Sequence, residues 1–534
     1  MTRQREAVAA VFAVAFLNTL LTLQNIWPTL WVRPTLELSV ELAVLLVVLA
    51  AAVGLWGGSS VRLRWSFTAV FLLLVAGRYA DITAPALFGR RVDLFWDAPH
   101  LPRVVAMVAE SMPTARFALY TLLAVALVAV LTFAVSRAAG VLTALSAHTG
   151  PRRAMAGSAA ALLCIYGAGI GSPTIDTERW FALPVTPVYA EQAAFLVRAA
   201  RAAPPIDGAL SKSDLSRLRG GDVYLMYLES YGSGVFETPR MREALADDFA
   251  ALETFAARSG WRVASGYLES PTFGGASWRA HATVLSGRWI DNEADYRAFL
   301  ANPPETLVDR FRSAGYRSVA LLPGIKLDWP EGAALRFDRI LDARALDYGG
   351  PAFGWWTIPD QFSLETLYRR EMVQADRKPL FVQFASITSH MPFGPTPPYQ
   401  TDWDRMGAAD PYDPEPLASA LAEKPDWSDI TTGYVKSIRY DLQLIQGFLD
   451  KRVPENALVV VSGDHQPPAI VSGDGADWSV PVHVFSRSPA LIERFRAAGF
   501  RSGLQPSRPT LARMDEFTTI LLRALDSGAA LASR

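Results

Sequence analysis

The chain has 534 residues, too many for one ordinary domain of ~150 residues. Hydrophobic residues make up 51% and the mean hydropathy is +0.17, high for a water-soluble globule and low for a chain that lies wholly in a membrane. Basic and acidic residues balance at 51 and 52, so no global field recruits nucleic acid, and the single cysteine, Cys164, excludes an intrachain disulfide framework or a Cys-rich zinc module.

In chain order, apolar runs come first, at 7–27, 40–56, 65–80, 117–135 and 155–170. Each approaches the ~20 residues a helix needs to cross ~30 Å of hydrocarbon. Trp27, Trp31, Trp56 and Trp65 stand at their ends as interfacial anchors. The pattern predicts an N-terminal α-helical transmembrane bundle of about five spans. Arg3, Arg5, Arg62, Arg64, Arg137, Arg152 and Arg153 fall on one side, against Arg33, Arg78, Arg90, Arg91 and Arg103 on the other. The long 81–112 loop dilutes the second group, so the bias favours a cytoplasmic N-terminus. Within that loop, 101–112 reads as an interfacial helix. An odd number of spans places everything after residue 171 outside the cytoplasm.

Residues 172–219 mix Pro, Ala, Arg and Asp and read as a linker with one helix over 188–203. From 220 onward, short apolar strands alternate with amphipathic helices. Strands are expected at 222–228, 318–322, 380–385, 457–462 and 480–485, and helices at 240–258, 304–314, 359–369, 431–450, 489–498 and 510–524. Continuous apolar strands between helices imply an α/β domain with a mostly parallel central sheet covered on both faces. The division is therefore an anchor at 1–171, a linker at 172–219 and an extracytoplasmic domain at 220–534. Ligands bind such sheets beyond the carboxyl ends of the strands.

Chemistry-bearing residues gather at those ends. The first strand leads into Glu229-Ser230-Tyr231-Gly232, placing a carboxylate at the crevice. The 457–462 strand leads into Gly463-Asp464-His465, an oxygen and an imidazole nitrogen suited to Zn²⁺ or Mn²⁺. Segment 271–287 has Gly274 and Gly275 for a tight loop, Ser277 where a helix begins, and Gly287 near its end. A hydroxyl there meets the positive end of the helix dipole, which stabilises an anion, although position alone suits an N-cap as well as a nucleophile.

Together these segments resemble the alkaline phosphatase superfamily, and with the membrane anchor they are similar to lipoteichoic acid synthases and phosphoethanolamine transferases. The resemblance implies Glu229, Ser277, Asp464 and His465 as ligands of one divalent metal, Mn²⁺ or Zn²⁺, and allows a second. It also implies Ser277 as the nucleophile. In sulfatases the reactive residue lies ten positions before the helix-ending Gly, as Ser277 does before Gly287. Their formylglycine signature continues with Pro and Arg, where this chain has Arg279 and His281, which argues against a true sulfatase. His281 matches the position held by His in related phosphodiesterases and is expected, with His483, as a candidate proton donor to the leaving alcohol. Ser389-His390-Met391-Pro392-Phe393 is similar to the His-x-Pro-Phe of the lipoteichoic acid synthase group, where the His contacts the substrate phosphate. His483, in the 480–485 strand, falls where related two-metal enzymes place a ligand. Lys326 and Trp329, after the 318–322 strand, resemble a headgroup-contacting cation and aromatic wall. Asp360 and Trp355-Trp356 read as structural.

The function these resemblances imply is transfer of a phospho-alcohol group, of phosphoglycerol or phosphoethanolamine type, through a phospho-Ser277 intermediate. The donor would be a membrane phospholipid and the acceptor an envelope glycan or lipid, with no nucleic-acid partner. The setting would be a bacterial inner membrane, with the catalytic domain periplasmic. The alternative is a membrane-tethered phosphodiesterase or sulfuric-ester hydrolase using the same site.

Overall fold

The computed structural model describes residues 2–199 apart from Gly57, Ser59, Gly89, 99–100, Ser111, 171–176 and Glu178, and residues 210–528 apart from 327–328, Pro330, 355–356 and Ser428. Parts of the expected linker, and Trp355-Trp356, therefore lie outside the described residues. The chain divides into two compact units, residues 1–201 and 202–534.

The first unit is helical. Its longer helices are α1 (Thr2–Leu21), α2 (Val40–Leu55), α3 (Val61–Phe88), α4 (Leu101–Glu110), α5 (Thr114–Ser146), α6 (Thr149–Gly169) and α7 (Thr186–Ala199). All five apolar runs thus form helices. Among the described residues, however, three are long and apolar enough to cross a membrane, over Gln4–Leu21, Val61–Leu87 and Thr114–Ser146. Helix α2 is apolar, but its 16 residues extend ~24 Å at ~1.5 Å per residue. Helix α6 dilutes its hydropathy with Arg152, Arg153 and several glycines. On α5, Leu122, Val125, Val130 and Phe133 all stand exposed, an outward face that water does not favour. The helix expected in the linker is α7, and it packs into this first unit. Buried Glu41 accepts the Val185 N–H at 2.5 Å near the start of α7, and Tyr189 Oη donates to the Leu73 carbonyl of α3 at 2.7 Å.

The second unit is built on a nine-stranded sheet. Its strands are β1 (Val223–Leu228), β2 (Arg262–Glu269), β3 (Arg317–Leu322), β4 (Arg339–Asp342), β5 (Leu380–Ala385), β6 (Leu458–Gly463), β7 (Ser479–Ser486), β8 (Arg501–Ser502) and β9 (Ala512–Arg513). They run in the order β8-β2-β7-β6-β1-β5-β3-β4, with β9 paired to β2. Strands β6, β1, β5, β3 and β4 are mutually parallel, whereas β7 is antiparallel to both β6 and β2. All six residues of β1 are buried, as a strand covered on both faces requires. Helices α8 (Pro239–Arg258), α10 (Asp360–Leu367) and α11 (Ile430–Lys451) supply the core on one face. Helices α9 (Ser277–Ser286) and α12 (Met514–Leu525) supply it on the other.

The strand starts are pinned by Asp222. Its carboxylate accepts both terminal nitrogens of Arg377, at 2.7 and 2.6 Å, and the Leu380 N–H at 2.9 Å. At the other edge, Leu228 pairs with Gly463, so β1 and β6 end level with each other. The residues that follow them are therefore neighbours by construction.

Candidate metal centre and nucleophile

The carboxyl ends of β6, β1, β5 and β3 lie side by side and carry, in that order, Asp464-His465, Glu229, the Ser386–His390 loop and the Lys326–Trp329 loop. The β1 and β6 turns interlock. A Cβ on Gly463 would lie 1.9 Å from the Tyr231 carbonyl oxygen, and one on Gly232 would lie 1.7 Å from Gln466 Oε1. Gly463→Ala forces backbone against backbone. It is expected to lower folding stability by ~1–3 kcal/mol and to reduce metal retention, readable as a lowered denaturation midpoint with lowered metal content.

Segment 270–276 brings Ser277 to the same rim. The Gly274 N–H donates to the Gln466 carbonyl at 3.1 Å, tying the segment to the Asp-His turn. Ala276 sits in the left-handed region (φ 63°), as does Ser230 immediately after Glu229 (φ 58°). Each costs about 1–3 kcal/mol relative to a relaxed backbone, a cost that concentrates where function demands the geometry. Ala276 takes the N-cap position, so Ser277 is the first helical residue and its side chain makes no capping bond. Instead, Ser277 Oγ donates to Glu229 Oε2 at 2.9 Å and lies 3.2 Å from His465 Nε2. The N-cap account of Ser277 is thereby replaced.

The centre closes around these atoms. His465 Nε2 is 3.3 Å from Glu229 Oε1 and 3.8 Å from Asp464 Oδ2. Ligand atoms of Glu229, Asp464 and His465 lie within 4.8 Å of one another, and all three residues are buried. The His465 Nδ1 lies 2.7 Å from the Gln466 carbonyl oxygen, which can only accept. Nδ1 therefore carries a proton and Nε2 faces the carboxylates, the orientation a metal-binding histidine needs. Asp464 Oδ1 accepts the Ser230 N–H at 2.9 Å and the His465 N–H at 2.7 Å, which leaves Oδ2 toward the centre. Two carboxylates, an imidazole and a hydroxyl fit a divalent cation of the Zn²⁺ or Mn²⁺ kind.

Electrostatics agree with that fit. Burial raises the Asp464 carboxyl well above the usual range, and the negative charge of Glu229 adds to the rise. Burial would also raise Glu229, but His465 and then His390 outweigh it and hold its carboxyl low. Burial would lower His465, but Asp464 and Glu229 overcome this and raise it. Negative charge has collected in a desolvated place, as a cation site requires.

The remaining residues distribute unevenly. His390 lies close enough to stabilise the Glu229 carboxylate, and its Nδ1 is 2.7 Å from the Met391 carbonyl, which orients the ring. His281 also faces the centre, with its ring centroid 4.2 Å from that of Tyr227. Burial lowers it to about 4, which disfavours the charged ring that would donate the leaving-group proton expected of it. His483 is a second correction. It lies within β7 with Nε2 3.0 Å from Tyr231 Oη and Nδ1 2.7 Å from Ser265 Oγ, so both ring nitrogens are engaged in the core. Trp329 is a third. Its ring packs against Gly332 and the α9–α12 hydrophobic cluster, a packing role rather than an open wall. Lys326 is half-buried in the same loop.

Sequence reasoning missed the support around the ligands: Ser386 Oγ, which accepts the Glu229 N–H at 3.0 Å; the Gln466 carbonyl; and Asp360, which grips the His390 loop. Backbone carbonyls and loop hydroxyls leave no pattern in a sequence. Asp360 offered one signal, an acid directly after Pro359 at a helix start, which is also an ordinary capping pattern.

Comparisons with known proteins bear on the family. The sequence profile of the sulfatase family matches residues 230–502, just over half of the chain. No curated protein matches the chain. Similar solved structures include the lipoteichoic acid synthase LtaP from Listeria monocytogenes, at 14% identity over 50% of this chain and 65% of that one, with a TM-score of 0.36. Others are the phosphoglycerol transferase GacH from Streptococcus pyogenes (11% identity, 59% and 77% covered, TM-score 0.36) and the phosphonate monoester hydrolase of Agrobacterium radiobacter (14% identity, 51% and 69% covered, TM-score 0.32). The chain spans just under two thirds of the length of LtaP. Because that profile spans just over half of the chain and includes Ser277, Asp464 and His465, the chain belongs to the sulfatase family.

Proposed function

We propose that the chain is a metal-dependent transferase that moves a phospho-alcohol group, of phosphoglycerol or phosphoethanolamine type, from a membrane phospholipid to an envelope glycan or lipid. The observation that carries this reading is the Ser277 hydroxyl, held between Glu229 and His465 at a helix start rather than spent on a cap. In this reading Glu229, Ser277, Asp464 and His465 hold one divalent cation, Mn²⁺ or Zn²⁺. When bound, the cation acidifies the hydroxyl and offsets charge on the phosphoryl oxygens.

The chain's own residues do the rest. Ser277 Oγ points its proton at Glu229 Oε2 and is half-exposed, so a phosphorus atom can approach it. Oγ gives up its proton toward Glu229 and bonds to phosphorus as the bond from phosphorus to the diacylglycerol oxygen breaks; diacylglycerol leaves, taking up a proton, and the phospho-alcohol group stays on Ser277 as a diester. His390, from the loop after β5, and Lys326, from the loop after β3, bind the phosphoryl oxygens. The first turn of α9 presents its dipole to the same charge. An acceptor hydroxyl then attacks phosphorus and Ser277 leaves.

Residues 1–171 serve as a multi-pass anchor of about five spans with the N-terminus in the cytoplasm. The 172–219 segment is a linker, and residues 220–534 are the extracytoplasmic catalytic domain at a bacterial inner membrane. Support comes from the exposed apolar face of α5, which suits lipid. Anchoring beside a lipid surface favours a lipid donor, because both ends of the reaction then meet at the interface.

The test is product analysis by mass spectrometry with the full chain in phospholipid vesicles, with and without an added polyol or glycan acceptor. The transferase reading expects phospho-alcohol on the acceptor and diacylglycerol released in step with it. Release of free phospho-alcohol or sulfate, unchanged by acceptor, would replace it with the hydrolase reading of the same site.

A further inference from the structure

Two buried acids take no part in the centre described above, and both lie against the loop that carries His390. Asp360, in the first turn of α10, is 0% exposed. Its carboxylate accepts the Ile387 N–H at 3.0 Å to each oxygen, the Thr388 N–H at 2.8 Å and the Thr388 hydroxyl at 2.6 Å. One side chain thus holds the two residues that lie two and three positions before His390. Asp441, midway along α11, is also 0% exposed. Its carboxyl faces the buried Ser389 hydroxyl and is otherwise without a hydrogen-bonding side chain.

A buried acid with so little hydrogen bonding is costly, so its placement calls for a reason. Burial and the neighbouring Asp360 push Asp441 well above the ordinary carboxyl range, against the Ser389 hydroxyl, which favours the carboxylate. Burial raises Asp360 to about 6, against the hydrogen bonds that favour its carboxylate. The far side of the loop is fixed too. Ser386 Oγ receives the Glu229 N–H, and the His390 N–H donates to the Ile387 carbonyl at 3.0 Å. The loop is therefore gripped at 386, 387, 388 and 390, with Asp441 beneath 389.

We propose that Asp360 and Asp441 are positioning residues that set the 386–390 loop and, through it, the place of the His390 imidazole at the transfer site. This rests on the reading of His390 as a phosphate contact. The two acids touch neither substrate nor cation, and they act through His390 alone.

A double-mutant cycle tests this with the full-length protein, a para-nitrophenyl phosphodiester as probe, and metal content measured in parallel. Asp360→Asn puts an amide where three donors converge. It is expected to lower kcat/KM by about tenfold to a hundredfold, because loss of alignment costs that much, with the metal retained. In a His390→Ala background the same change is expected to add less than about a twofold loss, because residues acting through one group are not additive. Thr388→Val, which deletes one donor and preserves shape, is the milder probe and carries the test if Asp360→Asn folds poorly. Asp441→Asn keeps a polar group of the same shape facing Ser389 and is expected to lose less than Asp441→Leu. Equal losses in the two backgrounds, or no loss from Asp360→Asn and Thr388→Val, would overturn the proposal. Equal losses from Asp441→Asn and Asp441→Leu would remove Asp441 from it. Persisting turnover in Ser277→Ala would instead sink the transfer reading itself, so the two failures stay distinguishable.

Discussion

Ser277→Ala is expected to lower turnover of a phosphodiester on the order of 10⁴-fold or more while leaving the fold and most of the metal affinity in place. The size follows from the role. With Oγ gone, no atom of the chain remains where phosphorus would be attacked, and only binding and field effects persist. The mildness of the structural effect follows from geometry. Ser277 makes no capping bond to α9, so the helix loses nothing that Ala276 and the following turns supplied. Glu229, Asp464 and His465 still present their ligand atoms within 4.8 Å of one another. A pure N-cap would show the reverse pattern, a loss of about 1 kcal/mol of stability with activity intact. Steady-state kinetics beside a thermal denaturation curve separates the two.

The second large effect concerns the ligands. Glu229→Gln or His465→Ala is expected to weaken divalent-cation binding by about a hundredfold or more, since even changes one shell further out cost 10–100-fold. Activity should fall with the metal and should not return on adding Mg²⁺. The wild type carries a pH dependence whose sign is set by the same charges. Stripped of its cation by a chelator, the centre holds protons tightly: Asp464 is raised by burial and by Glu229, and His465 is raised by Asp464 and Glu229 against its own desolvation. The cation must displace those protons, so apparent affinity rises as pH rises and is lost as pH falls from about 9 through about 7. Metal titration at several pH values, with released protons counted, checks both direction and stoichiometry.

Much of this was legible in the sequence, for physical reasons that differ by element. VYLMYL and LVVVSG are continuous apolar runs that nothing but a doubly covered strand explains, and both occur where expected. Strand β2, RVASGYLE, was not foreseen. Its Arg, Ser, Gly and Glu break the apolar run, and it forms because its mostly buried stretch pairs with β7 and the short edge strands. Glu229, Asp464 and His465 were legible because parallel strands deliver their carboxyl ends to one rim. Ser277 was legible as a helix start, but its freedom from capping was not, because that depends on Ala276 adopting a left-handed conformation. His483 misled for a plain reason. Adjacency in sequence to a strand end does not say which way a ring points, and this one points into the core. Asp360 and Asp441 meet the same loop from two helices far apart in sequence, a juxtaposition that only the fold creates.

The central claim is that Ser277 becomes covalently phosphorylated during turnover. Rapid acid quench of the full-length enzyme with a phosphodiester probe, followed by peptide mapping, tests it most directly. The account predicts a phosphoryl-ester adduct on the peptide containing Ser277, formed at a rate competent for turnover, abolished by Ser277→Ala and by chelation of the metal. Turnover at full rate with that peptide unmodified, or an adduct located on another residue, would contradict it.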